Sequence, residues 1–570
     1  TTLRRLTAAL AAAALAVAAF AGCTGAPSSS EQSGGGAQTS QIERASSHDP
    51  SIVKDGDTYY VFGSHRAWAK STDLVNWQTF ENNLSTDYET ILGGIWEEWS
   101  KQSTNPDVEG NMWAPDVFWN ETMGKWCMYL SVNGDNYRSV IVLLTADDIE
   151  GDWTYVGPVV YSGFTKVNVG RTDVEQVLGE DADLTRYQSQ SDTGINAIDP
   201  TVKTDEDGTM WMMYGSWFGG VWMFKLDPTT GLRDYTATYP YVEDACDPYY
   251  GVKVAGGYWN SGEGSYFVRK NGWWYLFLSY GWLGTTGGYQ IRIFRSKHLL
   301  GPYVDQNGNP AICAGEIPDN LTKDTGVRLT SSVLWSGGPD RIGSVEVSQG
   351  HNSVLHRRSD GRLFLTYHTR FIEREGEDYE THIRELLPTE DGWLVAAPYE
   401  YQGQVATPPT HPTGRPDTCS SDDAPGPWTA KAAHPSWLSG DYELVRHDPH
   451  TFYNGEHDAD GEFVGINRPE TITLQPDGRV TSGGAVSFFD TPEVNLPRST
   501  DGPAVRGTWR MLGDCGPAGV RCCDTDMAIT LDGVTYTGVF AELPRETDGR
   551  MTLTFSAIGG NRTIWAAHLA

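Results

Sequence analysis

The stretch HDPSIVKDGDTYYVFGSH, residues 48–65, holds a short alternating strand, a polar turn with Asp before Gly, and a second strand rich in aromatic residues. This order of features predicts a β-hairpin. Four later stretches share it, and their starts lie roughly 65 to 90 residues apart, which indicates an internal repeat. They are WAPDVFWNETMGKWCMYLSV (113–132), IDPTVKTDEDGTMWMMYGSW (198–217), GEGSYFVRKNGWWYLFLSYG (262–281) and GHNSVLHRRSDGRLFLTYHTR (350–370).

The spacing of the repeats leaves room for further strands in every unit. GVWMFKLDPTTGL from Gly220 and RELLPTEDGWLVAAP from Arg384 have the pattern of such outer strands. Five similar four-stranded units predict an all-β domain, a five-bladed β-propeller. A β-sandwich is the alternative, but it would show shorter and more even spacing. No helical period of useful length lies between the repeats.

A Pro-rich run separates the repeats from a second β-like region with short strands and turns, which predicts a small antiparallel β-barrel. Its role is open between substrate binding and structural support of the propeller, and we favour support. The predicted organisation is a signal peptide (1–22), a flexible Ser/Gly-rich tether (23–44), a five-bladed β-propeller (45–402), a linker (403–436) and a C-terminal β-barrel (437–570).

The N-terminal segment has the features of a targeting signal. Arg4 and Arg5 precede the apolar run Leu6–Ala21, which is too short to favour a membrane span. The run ends just before Cys23, as in bacterial lipoprotein signals, where the Cys is lipidated after cleavage. Ordinary cleavage with full secretion is the alternative. Both predict an extracellular protein, and only the lipidated form would touch a membrane, through the lipid on Cys23.

The cysteines that follow Cys23 number seven, which is odd for an oxidising compartment. Cys515, Cys522 and Cys523 are close enough in sequence for one local disulfide. Cys127 lies in a strand-like run and is predicted to be a buried thiol.

The net charge and the aromatic content of the chain indicate what kind of ligand it binds. The formal net charge is −32, which argues against nucleic acid and acidic pectin as partners and favours a neutral polymer. Aromatic residues make up 12% of the chain, with 21 Trp and 27 Tyr. Such richness is typical of sugar-binding proteins, although aromatic rings also fill β-sheet cores.

The residue before the Pro of each repeat, or its equivalent, points to a site. In a propeller the first strand of each blade lines the central channel, so these positions converge on the axis. Glycoside hydrolysis needs one protonated carboxyl and one ionised carboxylate, and a third carboxylate can keep the acid protonated. Serine, cysteine and zinc mechanisms have no comparable set of residues here. The five positions are Asp49, Ala114, Asp199, Glu263 and His351, with Asp116 two residues further in the second repeat.

The order HDPS (48–51), WAPD (113–116), IDP (198–200), EGS (263–265) and GHNS (350–353) resembles glycoside hydrolase family 43. The resemblance implies an inverting five-bladed propeller enzyme that acts on arabinans or xylans. GGYQIRIFRSKHLLGPYVDQNG from Gly287 is similar to the arabinanase branch. The C-terminal stretches LDGVTYTGVF and TIWAA are similar to the second domain of two-domain endo-arabinanases.

By position, the resemblance implies that Asp49 is the general base, Glu263 the general acid, and Asp199 the residue that raises the pKa of the acid. It implies that His351 lies beside a calcium ion, whose shell would be mostly water because calcium prefers oxygen ligands. Ser265 departs from the Pro common in the family at this point. Predicted substrate contacts are Trp113, Asp116, Trp217 and Trp96.

The resulting hypothesis is a monomeric glycosidase that cleaves α-1,5-linked L-arabinan of plant cell walls, endo-acting, by an inverting two-carboxylate mechanism. An exo-acting α-L-arabinofuranosidase or β-xylosidase is the alternative within the same class. A non-catalytic sugar-binding lipoprotein is the alternative from another class, but it would have no reason to hold both Asp49 and Glu263 at the axis. The insert between Leu84 and Pro106 is predicted to form either a wall or a stacking platform at the cleft.

Overall fold

The structure of the chain is a computed structural model. It describes residues 43–101, 107–134, 137–187, 194–260, 262–317, 325–336, 345–372, 379–409, 434, 436–483, 504–512 and 525–569. The signal segment, most of the tether and most of the predicted linker lie outside these residues, as do Cys23 and the predicted disulfide among Cys515, Cys522 and Cys523. Within the described ranges, no helix has the length and apolar character needed to cross a membrane.

The first two predicted hairpins each open an antiparallel four-stranded sheet whose strands follow chain order. The repeat stretches supply the inner pair of strands, and the sequence between them supplies the outer pair. The strands are β1 (Ser51–Asp55), β2 (Thr58–Phe62), β3 (Trp68–Ser71) and β4 (Gln78–Thr79), then β5 (Met112–Asn120), β6 (Lys125–Val132), β7 (Val140–Ala146) and β8 (Thr154–Tyr161).

The third sheet has five strands in the order β12-β13-β11-β10-β9. The next four strands run in chain order and are called here the β14–β17 segment, and a separate four-stranded sheet follows them. These strands are β9 (Thr201–Thr204), β10 (Met210–Tyr214), β11 (Val221–Leu226), β12 (Cys246–Asp247), β13 (Gly251–Ala255), β14 (Glu263–Lys270), β15 (Trp273–Tyr280), β16 (Gln290–Ser296), β17 (Val327–Arg328), β18 (Glu346–Arg357), β19 (Arg362–Phe371), β20 (Glu380–Pro388) and β21 (Leu394–Ala396).

The C-terminal region closes into an eight-stranded antiparallel barrel, because its last strand pairs with both its first and its seventh. The same last strand pairs in parallel with β17, at Arg328 and Arg562, so the β14–β17 segment and the barrel form one twelve-stranded sheet. Four sheets outside it remain separate and have a propeller-like arrangement. The barrel strands are β22 (Gly440–His447), β23 (Glu470–Leu474), β24 (Arg479–Ser482), β25 (Val505–Met511), β26 (Asp526–Leu531), β27 (Val534–Pro544), β28 (Met551–Gly559) and β29 (Arg562–His568).

The barrel is packed with side chains and is tied to the sheets beside it. The aromatic rings of Tyr442, Trp509 and Phe555 fill its interior, and each is at most 1% exposed. On its outside, the hydroxyl of Ser556 donates to the carbonyl of Ala396 at 2.9 Å. Among the described residues, these contacts suit the supporting role predicted for the barrel.

The insert after the first sheet is helical, contrary to the expectation that no useful helical period lies between the repeats. Asn82 caps its first helix with both halves of a capping box. Buried Leu92, Ile95 and Trp96 attach it to the core shared by the first sheets. The helices are α1 (Asn83–Thr86), α2 (Tyr88–Ile95), which continues as a π-helical turn (Trp96–Ser100), and α3 (Val174–Leu178) after the second sheet. Short 3₁₀ turns lie at Ser64–Arg66, Glu109–Asn111, Val169–Arg171, Thr185–Tyr187 and Ser436–Leu438.

The thiol of Cys127 is fully buried in β6, which confirms the prediction made for it.

Candidate active site

One backbone position at the inner end of each repeat adopts a left-handed conformation. Three of these residues precede a proline, where such a conformation is unusual. Outside glycine a left-handed residue costs on the order of 1–3 kcal/mol, so a recurrence in every repeat marks a feature that the surrounding structure enforces. The φ angles are 53° at Asp49, 39° at Ala114, 57° at Asp199, 58° at Gly264 and 42° at His351.

The predicted alignment of the repeats is wrong by one residue in the fourth. It placed Glu263 level with Asp49 and Asp199, whereas the left-handed residue is Gly264. The strand register agrees, since Glu263 pairs with Ser279 just before a bulge, in the same way as Trp113 pairs with Ser131 and Gly350 with His368. Glycine is required because a Cβ at this point would lie 2.9 Å from the ring of His351. Glu263 therefore enters the site one residue earlier than the two aspartates do.

Hydrogen bonds from one sheet to the next hold these positions together. In each repeat the N–H group of the left-handed residue donates to a side chain from an earlier sheet, and the first repeat receives its partner from the last sheet. The chain therefore closes on itself at the axis, with partners far apart in sequence. The bonds run from Asp49 to His368 Nδ1 (3.2 Å), from Ala114 to Ser64 Oγ (2.8 Å), from Asp199 to Ser131 Oγ (3.0 Å), from Gly264 to Asp199 Oδ2 (3.1 Å) and from His351 to Ser279 Oγ (2.7 Å).

Asp49 is surrounded by imidazoles. The Nδ1 atoms of His48 and His351 both lie 2.9 Å from its Oδ1, and that of His368 lies 3.8 Å away. Ser64 donates its hydroxyl to Oδ2 at 2.5 Å. Burial alone would raise the pKa of this carboxyl, but the charges and hydrogen bonds of His351 and His48 outweigh it and hold that pKa well below its usual range. Asp49 is thus an ionised carboxylate.

Glu263 has the opposite electrostatic environment. Burial, and next the negative charge of Asp199, raise the pKa of Glu263 to about 8, although His351 and a hydrogen bond act against them. That bond comes from the Tyr289 hydroxyl, which donates to Glu263 Oε1 at 2.9 Å. Burial also raises the pKa of Asp199, to about 6, although the positive charge of His351 lowers it. At neutral pH Glu263 is the protonated member of the pair.

His351 links the two halves of the site. Burial disfavours its charge, but the carboxylates of Asp49 and Asp199 overcome that and raise its pKa to about 9. The ring therefore carries a positive charge at neutral pH beside the ionised Asp49. The site combines a carboxylate that can accept a proton from water with a carboxyl that can donate one, the pair that glycoside hydrolysis needs.

Sequence reasoning missed several residues of this site. His48 directly precedes Asp49 in the motif, and its ring stacks on His368 with centroids 3.9 Å apart. His368 could have been found from the hairpin register, since it pairs with Gly350, the residue before His351. Tyr289 had no such signal, because the loop that carries it reaches the axis only in the folded chain.

The structure places the predicted substrate contacts unevenly. Trp113 and Trp217 are half-buried, and the indole of Trp113 donates to the carbonyl of Gly110 at 2.9 Å. Trp96 is 3% exposed, so it has almost no face on which a sugar could stack, and its burial argues against the proposed contact.

Asp116, also 3% exposed, is used between strands rather than at a surface. Its carboxylate accepts from the Ser51 hydroxyl at 2.9 Å and from the Val202 N–H at 2.7 Å. These bonds join the first strands of three sheets, so the geometry favours a structural role for Asp116 over a contact with substrate.

Comparison with known proteins agrees with this site. Residues 40–328 match the family described as "Glycosyl hydrolases family 43", and residues 426–566 match a "C-terminal lipocalin-like domain". The chain is 30% identical to "Extracellular endo-alpha-(1->5)-L-arabinanase 2" of Bacillus subtilis, over 93% of this chain and 94% of the relative.

A second relative, "Extracellular endo-alpha-(1->5)-L-arabinanase" of Thermotoga petrophila, is 37% identical over 63% of this chain and 72% of its own length. The fold is similar to the crystal structure of the endo-1,5-alpha-L-arabinanase from Thermotoga petrophila RKU-1, with a TM-score of 0.66 and 27% identity, covering 93% of this chain and 100% of that one. With both domains matched and two oppositely tuned carboxyls at its axis, the chain belongs to glycoside hydrolase family 43 and is a glycosidase.

Proposed function

We propose that this protein is an extracellular endo-acting α-1,5-L-arabinanase that inverts configuration at the anomeric carbon. The observation that carries the proposal is the opposite electrostatic tuning of two carboxyls in one ring, with Asp49 ionised and Glu263 protonated. Two relatives, both named as extracellular endo-arabinanases, supply the substrate class. A formal net charge of −32 suits an uncharged polysaccharide.

In the proposed reaction, Glu263 donates its proton to the leaving oxygen while Asp49 takes a proton from an attacking water. The Oδ1 atom of Asp49 lies 2.9 Å from the Nδ1 atoms of both His48 and His351. These two imidazoles orient the carboxylate and keep it ionised. Asp199 keeps Glu263 protonated through its negative charge, and its Oδ2 accepts the N–H of the adjacent Gly264. Asp199 thereby holds the backbone beside the acid in place, and its charge adds to the effect of burial in raising the pKa of Glu263.

The proposal extends to the architecture, in which the β14–β17 segment is the fifth blade of the propeller. Like the four separate sheets, this segment has a left-handed residue at its inner end, Gly264. The N–H group of Gly264 also makes the same kind of hydrogen bond to a neighbouring sheet, at Asp199. Its parallel pairing with β29 then makes the barrel an extension of that blade.

Action on linear, debranched arabinan tests the function. We expect the purified protein to release a mixture of oligosaccharides early in the reaction, because an endo-acting enzyme cuts within chains. Chromatography of the first products distinguishes the modes of attack. Release of arabinose or a single short oligomer from the start would favour the exo-acting alternative, and no release would contradict the proposal.

Inversion is tested by proton NMR of the first-formed product. Because Asp49 acts on water rather than on the sugar, the new reducing end should have the configuration opposite to that of the cleaved bond. The spectrum must be taken before the anomers interconvert. Initial retention would mean that a carboxylate forms a covalent intermediate.

Calcium beside His351 is part of the proposal. Among the described residues, the side-chain oxygen of Asn352 and the Nε2 atoms of His48 and His368 are buried without a hydrogen-bond partner, and His48, Asp49 and His368 lie close enough to share an ion. This set offers few oxygens, so calcium would fit here only with water in most of its shell. Its charge would stabilise the ionised carboxylates.

We expect a chelator to lower activity or the melting temperature, and added calcium to restore it, since an ion that binds only the folded protein stabilises it. Differential scanning fluorimetry with EDTA and then with calcium or magnesium makes the measurement. Full activity and an unchanged melting temperature in metal-free protein would remove the ion from the site.

A further inference from the structure

Tyr289 touches the carboxyl of Glu263 but takes no part in the two proton transfers of the proposed reaction. Its hydroxyl donates to Oε1 of Glu263 at 2.9 Å, and the residue is 2% exposed. Burial, together with the nearby carboxylates, raises the pKa of this phenol well above its usual value, so it keeps its proton at neutral pH. Tyr289 is therefore a constant hydrogen-bond donor to the acid.

The β15–β16 loop, which ends at Tyr289, is clamped by the last sheet. The hydroxyl of Ser348 in β18 donates to the carbonyl of Gly284 at 2.6 Å. The Nε atom of Arg370 in β19 donates to the carbonyl of Leu283 at 2.7 Å. Because both clamps bind backbone carbonyls, they fix the path of the chain that leads to Tyr289.

The ring of Tyr289 lies in a slot formed by β18 and β19. It stacks on the imidazole of His368, with centroids 5.7 Å apart and ring planes 22° from parallel. It also lies against Gly350, where an added Cβ would come within 2.0 Å of the ring. Gly350 and His368 pair across the two strands, so one cross-strand pair builds the slot. The slot holds the phenol in the orientation that reaches Glu263.

The same stack of rings reaches the general base. The imidazole of His368 also stacks on that of His48, with centroids 3.9 Å apart. His48 places its Nδ1 atom 2.9 Å from Oδ1 of Asp49, and the Asp49 N–H donates to His368 Nδ1 at 3.2 Å. Three stacked rings thus run from the residue that holds the acid to the residues that hold the base. One rigid group of side chains therefore sets the positions of both carboxyls, as a reaction that uses them together requires.

The phenol also determines which oxygen of the acid carries the proton. A protonated carboxyl has one hydroxyl oxygen, which donates, and one carbonyl oxygen, which only accepts. Since Tyr289 donates to Oε1 of Glu263, Oε1 serves as the carbonyl oxygen and the proton lies on Oε2. The hydrogen bond strengthens when Glu263 becomes a carboxylate, because hydrogen bonds to charged acceptors are the stronger ones.

We propose that Tyr289 is a positioning residue that holds Glu263 with Oε1 as the carbonyl oxygen, so that Oε2 delivers the proton to the leaving oxygen. The electron pair of the broken O–H bond stays on Glu263, and the leaving oxygen takes the electron pair of its bond to the anomeric carbon. Water adds to that carbon and gives a proton to Asp49. This inference rests on the acid role that the proposed function gives to Glu263.

Tyr289→Phe tests the inference, because it removes the hydroxyl and keeps the ring in its slot. We expect kcat for linear arabinan to fall about tenfold and KM to stay within about twofold, since a misplaced acid slows proton transfer without loosening the substrate. An aryl arabinoside with a good leaving group needs little protonation, so its kcat should fall less than about threefold. Tyr275→Phe is the matched control and should leave both kcat values unchanged. That fully buried phenol lies in the same β14–β17 segment and donates to the carbonyl of Gly392 at 2.7 Å.

The pH–rate profile of Tyr289→Phe gives a second readout. Burial and the charge of Asp199 raise the pKa of Glu263, as does the charge of Asp49. His351 and the hydrogen bond from Tyr289 lower it. Without that bond the acid stays protonated to higher pH, so the alkaline limb of kcat/KM should move to higher pH, opposite to the shift expected for Asp199→Asn. A limb that stays in place or moves to lower pH would overturn the inference.

Glu263→Gln, measured alongside, separates the inference from the proposed function. If Glu263→Gln keeps most of the activity, or the unmodified enzyme leaves arabinan intact, the proposed function falls and the role of Tyr289 with it. If Glu263→Gln is impaired but Tyr289→Phe slows arabinan and the aryl arabinoside equally, or slows neither, only the positioning role is overturned. A higher KM at constant kcat would make Tyr289 a substrate contact and would also overturn it.

Ser348→Ala replaces Tyr289→Phe in this test if the latter does not fold, as its melting temperature will show. It releases one clamp on the β15–β16 loop and keeps the phenol. A loss of kcat on arabinan that exceeds the loss on the aryl arabinoside would support the inference. Equal losses, or none, would overturn it.

Discussion

Replacing Glu263 with Gln is expected to lower kcat on arabinan by at least about a hundredfold, because Gln keeps the size of the side chain but has no proton to donate. Asp49→Ala should cause a loss of at least the same size, since it removes the carboxylate that accepts the proton of water. Initial rates of reducing-sugar release at several substrate concentrations give kcat and KM for each variant, and circular dichroism and melting temperature check the fold.

The leaving group separates the two roles. An aryl arabinoside with a good leaving group needs little protonation, so Glu263→Gln should impair its hydrolysis far less than that of arabinan. Asp49→Ala should impair both alike, because water must still be activated. Asp147→Asn, on an exposed carboxylate paired with Lys125, is the control and should leave the rates unchanged. Activity within about tenfold of the unmodified enzyme in either catalytic variant would contradict the assignment.

Asp199→Asn is expected to move the alkaline limb of the pH–rate profile to lower pH. The acid must be protonated to act, and the negative charge of Asp199 contributes to raising the pKa of Glu263 to about 8. Without that charge Glu263 loses its proton at lower pH, so activity is lost earlier as pH rises. The acidic limb reports the ionisation of Asp49, whose pKa is lowered mainly by histidines, and should shift less.

The profile should be measured as kcat/KM across the pH range, which reports the free enzyme. Asp199→Asn should again lower kcat/KM less for substrates with a good leaving group than for arabinan. An alkaline limb that stays in place, together with equal losses on good and poor leaving groups, would show that Asp199 binds substrate instead. The Gly264 N–H that donates to Asp199 Oδ2 can also donate to the oxygen of Asn, so the variant should retain the local fold.

The local chemistry of the site was readable from the sequence. Each repeat is a hairpin, and the Asp-Pro pairs at residues 49–50 and 199–200 are local features that need no tertiary information. The period of the repeats implied that their inner ends meet, which predicted Asp49, Asp199 and Glu263 as one group. The second β region and the buried Cys127 followed from pattern in the same way.

Other features depend on contacts between distant parts of the chain. The bond from Asp49 to His368 spans 319 residues, and Tyr289 reaches Glu263 through a loop whose sequence does not indicate its direction. The helical insert and the burial of Trp96 follow from packing against neighbouring sheets.

The residue types at the inner end of each repeat follow from local pattern, because hairpins and Asp-Pro turns are properties of adjacent residues. The protonation states of the carboxyls among them depend on the folded chain. A carboxyl becomes an acid or a base through its burial and its charged neighbours. Asp49 is kept ionised by the adjacent His48 together with His351 from another sheet, and Glu263 is kept protonated by burial together with Asp199 from another sheet. The one-residue offset at Gly264 has the same origin, since the ring of His351 leaves no room there for a side chain.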